Sequence, residues 1–133
     1  MWQVTLSVEF NGIVVYDPLV VEERLGRVRR GSNLFRRFTT TREGDRALKL
    51  GLFVPVLAID DAGYEVHLRL ADEPSRVRPK HLLCTNATYA LEVRHSLAIA
   101  DLEVLTAWGR IAPNNVIEFP PGKYAVRSEE RRV

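Results

Sequence analysis

The sequence predicts an all-β chain: a single-domain antiparallel β-sandwich or partly open barrel over residues 1–133. About seven to nine short strands are expected, with at most one short helix. Three observations carry that prediction. Trp2, Val4, Leu6, Val8 and Phe10 alternate with Gln3, Thr5, Ser7 and Glu9, the two-residue period of a half-buried strand. Late in the chain Ile117 and Phe119 project to one side and Glu118 to the other, and Tyr124 and Val126 repeat the rhythm. Between them Pro120 and Pro121 cannot donate to a ladder and Gly122 tolerates positive φ, so a turn there closes a hairpin. The third observation is the spacing of the intervening sequence, where short apolar runs are divided by Gly, Pro, Asn and Asp.

The elements follow in order. Asn11-Gly12 favours a type I′ turn, which predicts a returning strand over residues 13–16. Residues 17–26 admit two readings. One is a short helix capped by Asp17, with Pro18 in its first turn and Gly26 past its end; the other is an extended loop, because Val20 and Val21 are stiff at χ1. Residues 26–32 are basic and glycine-punctuated, as in an exposed connection. Leu34, Phe35 and Phe38 with the β-branched Thr39, Thr40 and Thr41 predict a strand over 33–41, ended by Glu43-Gly44-Asp45. From 46 to 59, Leu48, Leu50, Leu52, Val54 and Val56 share one face, and Phe53, Leu57 and Ile59 the other. That is the pattern of a strand covered on both sides, with Pro55 marking a bulge or an edge.

Asp60-Asp61-Ala62-Gly63 reads as a hairpin loop, with Tyr64, Val66, Leu68 and Leu70 alternating on the return. Residues 71–80, polar and holding Pro74 and Pro79, read as a loop within the one domain. Short strands are expected over 81–85 and around Tyr89, Leu91 and Val93. Residues 97–108 fit helix and strand periodicity equally and are assigned to strand from their neighbours, and Pro113-Asn114-Asn115 leads into the closing hairpin. No internal repeat or low-complexity segment is visible.

Composition narrows the function classes. With 46% apolar and 27% charged residues the chain is of ordinary globular type, with neither a disordered nor a membrane-spanning signature. Its longest apolar run, residues 50–59, falls short of the ~20 residues that cross a bilayer. No leader pattern follows Met1, and a lone Cys84 has no intrachain disulfide partner, so a cytoplasmic protein is expected. Asn86-Ala87-Thr88 matches a glycosylation acceptor without a secretion signal to support it.

The net charge of +2 is too small to point to nucleic acid, but its distribution is uneven. Residues 24–42 hold seven arginines (24, 27, 29, 30, 36, 37 and 42) and no acidic residue. Guanidinium pairs bidentately with carboxylate or phosphate, so Arg27, Arg29, Arg30, Arg36 and Arg37 are the candidate partner-binding residues. The same segment could serve as a nucleic-acid-binding module, with Phe35 and Phe38 stacking on bases. A core use for those rings and a solvated use for the arginines are the simpler alternatives.

Other constellations are sparse. His67 and His95 fall on polar strand phases and His81 lies in or beside a loop, with no metal-ligand spacing, so no metal site is predicted. Asp60 and Asp61 suit turn amides, and Cys84 has no local histidine or CxxC companion. Asp101 and Glu103, two apart, are a carboxylate pair that a small hydrolase-like enzyme could use if burial raised one pKa. Neither a dinucleotide nor a phosphate-loop motif occurs. The expectation is therefore no catalytic residue and no cofactor.

The opening Val4-Thr-Leu-Ser-Val-Glu-Phe-Asn-Gly-Ile-Val-Val-Tyr-Asp17 and the closing Phe119-Pro-Pro-Gly-Lys-Tyr-Ala-Val126 resemble the competence protein J group. These are small β-rich bacterial proteins that include an inhibitor of a DNA-entry nuclease and relatives associated with toxin immunity. The resemblance implies a non-enzymatic protein that acts by binding a protein partner. One departure concerns charge: a cover for a nuclease's basic cleft presents acidic residues, whereas the densest charge here is positive, so a more acidic partner is implied.

Overall fold

A computed structural model describes residues 2–26, 28–70 and 82–131. The chain is mostly β, with eight strands in sheets: β1 (Trp2–Ser7), β2 (Gly12–Tyr16), β3 (Val54–Leu57), β4 (Gly63–Leu68), β5 (Leu82–Val93), β6 (Ser96–Asp101), β7 (Asn115–Glu118) and β8 (Gly122–Arg131). Helices α1 (Pro18–Leu25), α2 (Leu34–Thr40) and α3 (Glu43–Lys49) separate β2 from β3, and a 3₁₀ helix, Leu102–Ala107, follows β6. The expected loop over 71–80, His81, Arg27 and the side chain of Cys84 lie outside the described residues.

None of the three expected hairpin turns joins paired strands. β1 pairs with β4 and β2 with β3, so residues 8–11 bend one long strand, and residues 58–62 bend its antiparallel partner. Pairing continues through the bend: Val8 N donates to Ala62 O at 2.8 Å and Ile59 N to Asn11 O at 3.2 Å. A second bent ribbon repeats the plan. β5 pairs with β8 and β6 with β7, with Val93↔Gly122 and Ser96↔Glu118 on either side of its bend. Asn11 takes φ 52, but Gly12 already starts β2, so one left-handed residue redirects a strand where a type I′ turn needs two. Pro120 and Pro121, without amide donors, fall where pairing lapses at the second bend.

The ribbons meet along β2 and β6, which pair antiparallel from Ile13↔Asp101 to Tyr16↔Ala98 and give a four-stranded order β3-β2-β6-β7. That order reads the same from either edge under exchange of the ribbons, a topological repeat with no counterpart in the sequence. Alternation on β2 and β6 then divides two cores. Val14, Tyr16, Ala98 and Ala100 face Val20, Val21, Leu34, Leu52, Leu105 and Trp108 on the helical side. Ile13, Val15, Leu97 and Ile99 face Leu6, Val8, Leu91 and Val93 from the outer arms of the ribbons.

Each bend is clamped by a buried aspartate from the other ribbon. Asp17, directly after β2, accepts from Arg94 N (2.8 Å), His95 N (2.9 Å) and Ser96 N (3.4 Å) through Oδ2, and caps α1 by accepting from Leu19 N (3.0 Å) through Oδ1. Asp101, the last residue of β6, accepts from Glu9 N (3.0 Å) and Phe10 N (3.2 Å). A carboxylate suits this use because it offers several acceptor lone pairs and no donor.

The described residues hold four helices where at most one short helix was expected, and three strand assignments are corrected with them. Leu34 and Phe38 stand one helical turn apart, and the threonines that suggested a strand bond back along α2, Thr39 Oγ1 to Phe35 O (2.8 Å) and Thr40 Oγ1 to Arg36 O (2.6 Å). Asn33 caps α2 by accepting from Arg36 N at 2.9 Å. The expected strand over 46–59 survives only as β3, an edge strand on which Pro55 fits, while α3 takes its first part with Glu43 and Asp45 in the first turn and Lys49 in the last. β6 likewise ends at Asp101 and passes into 3₁₀, so the strand assigned to 97–108 is half right. The helical reading of 17–26 holds, with Asp17 as cap.

α2 and α3 cross so closely that a Cβ on Gly44 would lie 2.2 Å from Phe38 O. Gly44→Ala must push the helices apart, and a loss of about 1–3 kcal/mol in unfolding free energy is expected by denaturant titration.

Candidate interaction surface

The basic segment is built on a tight turn. Ser32 N and Ser32 Oγ both reach Arg29 O, at 3.0 and 2.6 Å, and Gly31 at the third position has φ 88. A type II turn requires positive φ there, which glycine adopts without a Cβ clash. The turn is pinned to the end of the 3₁₀ helix by Gly31 N to Trp108 O (2.6 Å) and Trp108 N to Ser32 O (2.9 Å). Trp108 is itself buried, its ring 5.4 Å from that of Tyr16 and its Nε1 donating to Glu22 Oε1 at 2.6 Å.

This pinning sets two Arg–Gly pairs against each other. A Cβ on Gly31 would lie 2.9 Å from Arg110 Nε, and one on Gly109 would lie 3.4 Å from Arg30 Cγ. Each arginine stem therefore lies over the other segment's glycine, and Arg110 joins the surface that residues 24–42 suggested. Nothing in its local sequence beyond the dipeptide Gly109-Arg110 marks it; only the fold brings it to Arg30.

The structure divides the candidate arginines into two groups. Arg29 and Arg30 are exposed on the turn, Arg36 is exposed one helical turn beyond, and none of the three has an ion-pair partner among the described residues. Arg37 pairs with Glu43. Arg24 is withdrawn further, holding the buried Glu92 through Nη2 at 2.7 and 3.1 Å and Nε at 3.3 Å. No family model matches this chain. Searches of curated proteins and of solved structures return no significant match either.

Two hollows lie near the first bend. One, about 160 Å³, is lined by Ser7, Glu9, Asp101, Glu103, Val104, Ile111, Ala112 and Asn114. Carboxylate oxygens of Glu9, Asp101 and Glu103 there lie within 4.8 Å of one another. The sequence-suggested pair thus converges, with Glu9 as a third member that strand alternation alone could not reveal. Asp101 is engaged by two amides of the first bend, while its own N donates to Asn114 Oδ1 at 2.8 Å. Its equivalence to the Asp17 clamp accounts for its burial without any chemistry. The second hollow is an apolar groove lined by Phe10, Asn11, Phe35, Thr39, Leu57, Ala58 and Leu102.

The remaining candidates have local uses. Asp61 Oδ1 accepts from Asn11 N at 2.8 Å, the turn-amide role its sequence suggested. His67 Nε2 contacts Glu65 Oε1 at 2.6 Å on the exposed face of β4, and the His95 amide belongs to the Asp17 clamp. The described helices include none long and apolar enough to cross a membrane.

Proposed function

We propose that this is a non-enzymatic protein-binding domain, similar to inhibitor and immunity proteins, that meets an acidic partner through Arg29, Arg30, Arg36 and Arg110. The observation that carries the reading is the turn over 29–32: exposed arginines without an ion-pair partner among the described residues sit on backbone already fixed by two bonds to Trp108. A pinned turn loses little conformational freedom on binding, and unneutralised guanidinium groups speed encounter and favour carboxylate-rich surfaces. Phe35 packs edge-on against Phe10 at 5.3 Å and Phe38 against Phe53 at 5.5 Å, an internal use that makes base stacking the weaker role for these rings.

The supporting scaffold is proposed to be a partly open barrel, in keeping with two links between its layers: Asn115 Nδ2 to Thr5 O at 2.9 Å and Glu92 N to Gly51 O at 2.8 Å. A cytoplasmic setting suits the lone cysteine.

The test is affinity co-purification from the source organism with the wild-type chain and the Arg29→Glu/Arg30→Glu variant. An acidic protein should be retained by the wild type and bound about tenfold or more weakly by the variant. Equal retention of every recovered protein by both chains contradicts the reading. A salt titration against DNA and RNA separates the nucleic-acid alternative, because phosphate binding weakens linearly in log–log form with a slope near −0.9 per phosphate contacted on duplex DNA.

A further inference from the structure

We infer that the apolar groove between α2 and the first bend docks a polypeptide segment carrying a bulky aliphatic side chain beside a lysine or arginine. The groove, about 350 Å³, can hold one or two such side chains. It is walled by hydrophobic groups that the fold leaves outside: Leu57 is 56% and Phe10 37% exposed. Clustered exposure of this kind marks contact surfaces more often than scattered exposure does.

The backbone explains why these side chains face outward. Among the described residues, Asn11 (φ 52) and Ala58 (φ 58) are the non-glycine residues with positive φ, and both line the groove. They face each other across the bend, with Ile59 N bonded to Asn11 O at 3.2 Å and Asn11 Nδ2 to Ile59 O at 3.2 Å. Alanine gains nothing locally from this conformation, so the surrounding structure imposes it. Phe35 and Thr39 of α2 form the facing wall and Leu102 the floor.

Charge decides the occupant. Residues of the groove wall are chain neighbours of the carboxylates, though the two hollows share no lining residue: Phe10 follows Glu9, and Leu102 lies between Asp101 and Glu103. Asp101 is committed to backbone amides, while Glu9 and Glu103 have no cationic partner among the described residues. A segment seated in the groove therefore runs close to two carboxylates that have no ion-pair partner among the described residues. A cation there is attracted and relieves their mutual repulsion; an acidic neighbour is repelled. This surface is chemically opposite to the arginine turn, and neither inference depends on the other.

The experiment is a selection of random twelve-residue peptides displayed on phage against the wild-type chain, with counter-selection against Leu57→Glu. Leu57 is largely exposed, so its replacement should leave folding intact, and Leu57→Ser with a matched thermal melt provides a second check. Enriched peptides should pair Leu, Ile or Met with an adjacent Lys or Arg. Their leading member should bind Leu57→Glu about tenfold more weakly and Glu9→Gln/Glu103→Gln about threefold more weakly than the wild type. The inference is overturned by enrichment of acidic peptides or of peptides lacking a cation. It is equally overturned if no enrichment depends on Leu57, or if concentration-dependent mass shows the groove buried between two copies of the chain.

Discussion

Asp17→Ala is expected to lower the unfolding free energy by about 3–5 kcal/mol, read as a shift of the midpoint in guanidinium chloride. The loss combines an N-cap, worth about 1 kcal/mol, with part-buried amides left without an acceptor at up to about 1–3 kcal/mol each, partly relieved where water enters. Asp17 is fully buried, and its carboxylate serves Leu19, Arg94, His95 and Ser96 together. Asp17→Asn should fall between, since its single carbonyl oxygen cannot serve both α1 and the second bend while its NH₂ faces donors. The same carboxylate gives a pH dependence. Burial alone would raise its pKa, but the hydrogen bonds from Arg94, His95, Leu19 and Ser96 outweigh that and hold it below the ordinary value. With the folded pKa below the unfolded one, the stabilisation is complete above the unfolded value, near 3.9, and disappears as pH falls from there through the folded pKa. The Asp17→Ala chain should lack this part of the acid dependence.

Trp108→Ala is the second large effect, about 3–5 kcal/mol by loss of a buried aromatic side chain. It removes the ring contact with Tyr16 and the bond to Glu22, so the segment holding the arginine turn loses its anchor. Amide exchange at Gly31, which bonds to Trp108 O, should quicken beyond what global destabilisation alone produces. Trp108→Phe retains most of the buried ring and loses the Nε1 donor, and should keep the turn protected. Equal protection of Gly31 in all three chains would mean that the turn does not depend on the tryptophan.

How much was legible in the sequence depends on the range of the interaction that decides each element. Alternation from Trp2 onward and from Tyr64 to Leu68 reports which face is buried, and both strands form. The Asp17-Pro18 start and Gly26 end of α1 are local signals and were readable. Partner choice was not. Asn11-Gly12 and Pro120-Pro121-Gly122 mark places where the backbone changes direction, but a bend in a long strand and a reversal into a hairpin draw on the same residues. α2 and α3, seven residues each, are too short for periodicity to outweigh the β-branched threonines. At the surface, the arginine run was visible, but not that Arg24 and Arg37 are already paired or that Arg110 joins Arg30. The carboxylate pair was visible without its third member, Glu9, which arrives through the first bend.

The most direct measurement is backbone amide exchange on the complex with the co-purified acidic partner. Binding through the pinned turn predicts slowed exchange across residues 28–37 and 107–111, with the strands of both ribbons unchanged. Protection confined to the outer arms β4 and β8, with residues 28–37 exchanging as in the free chain, would contradict it.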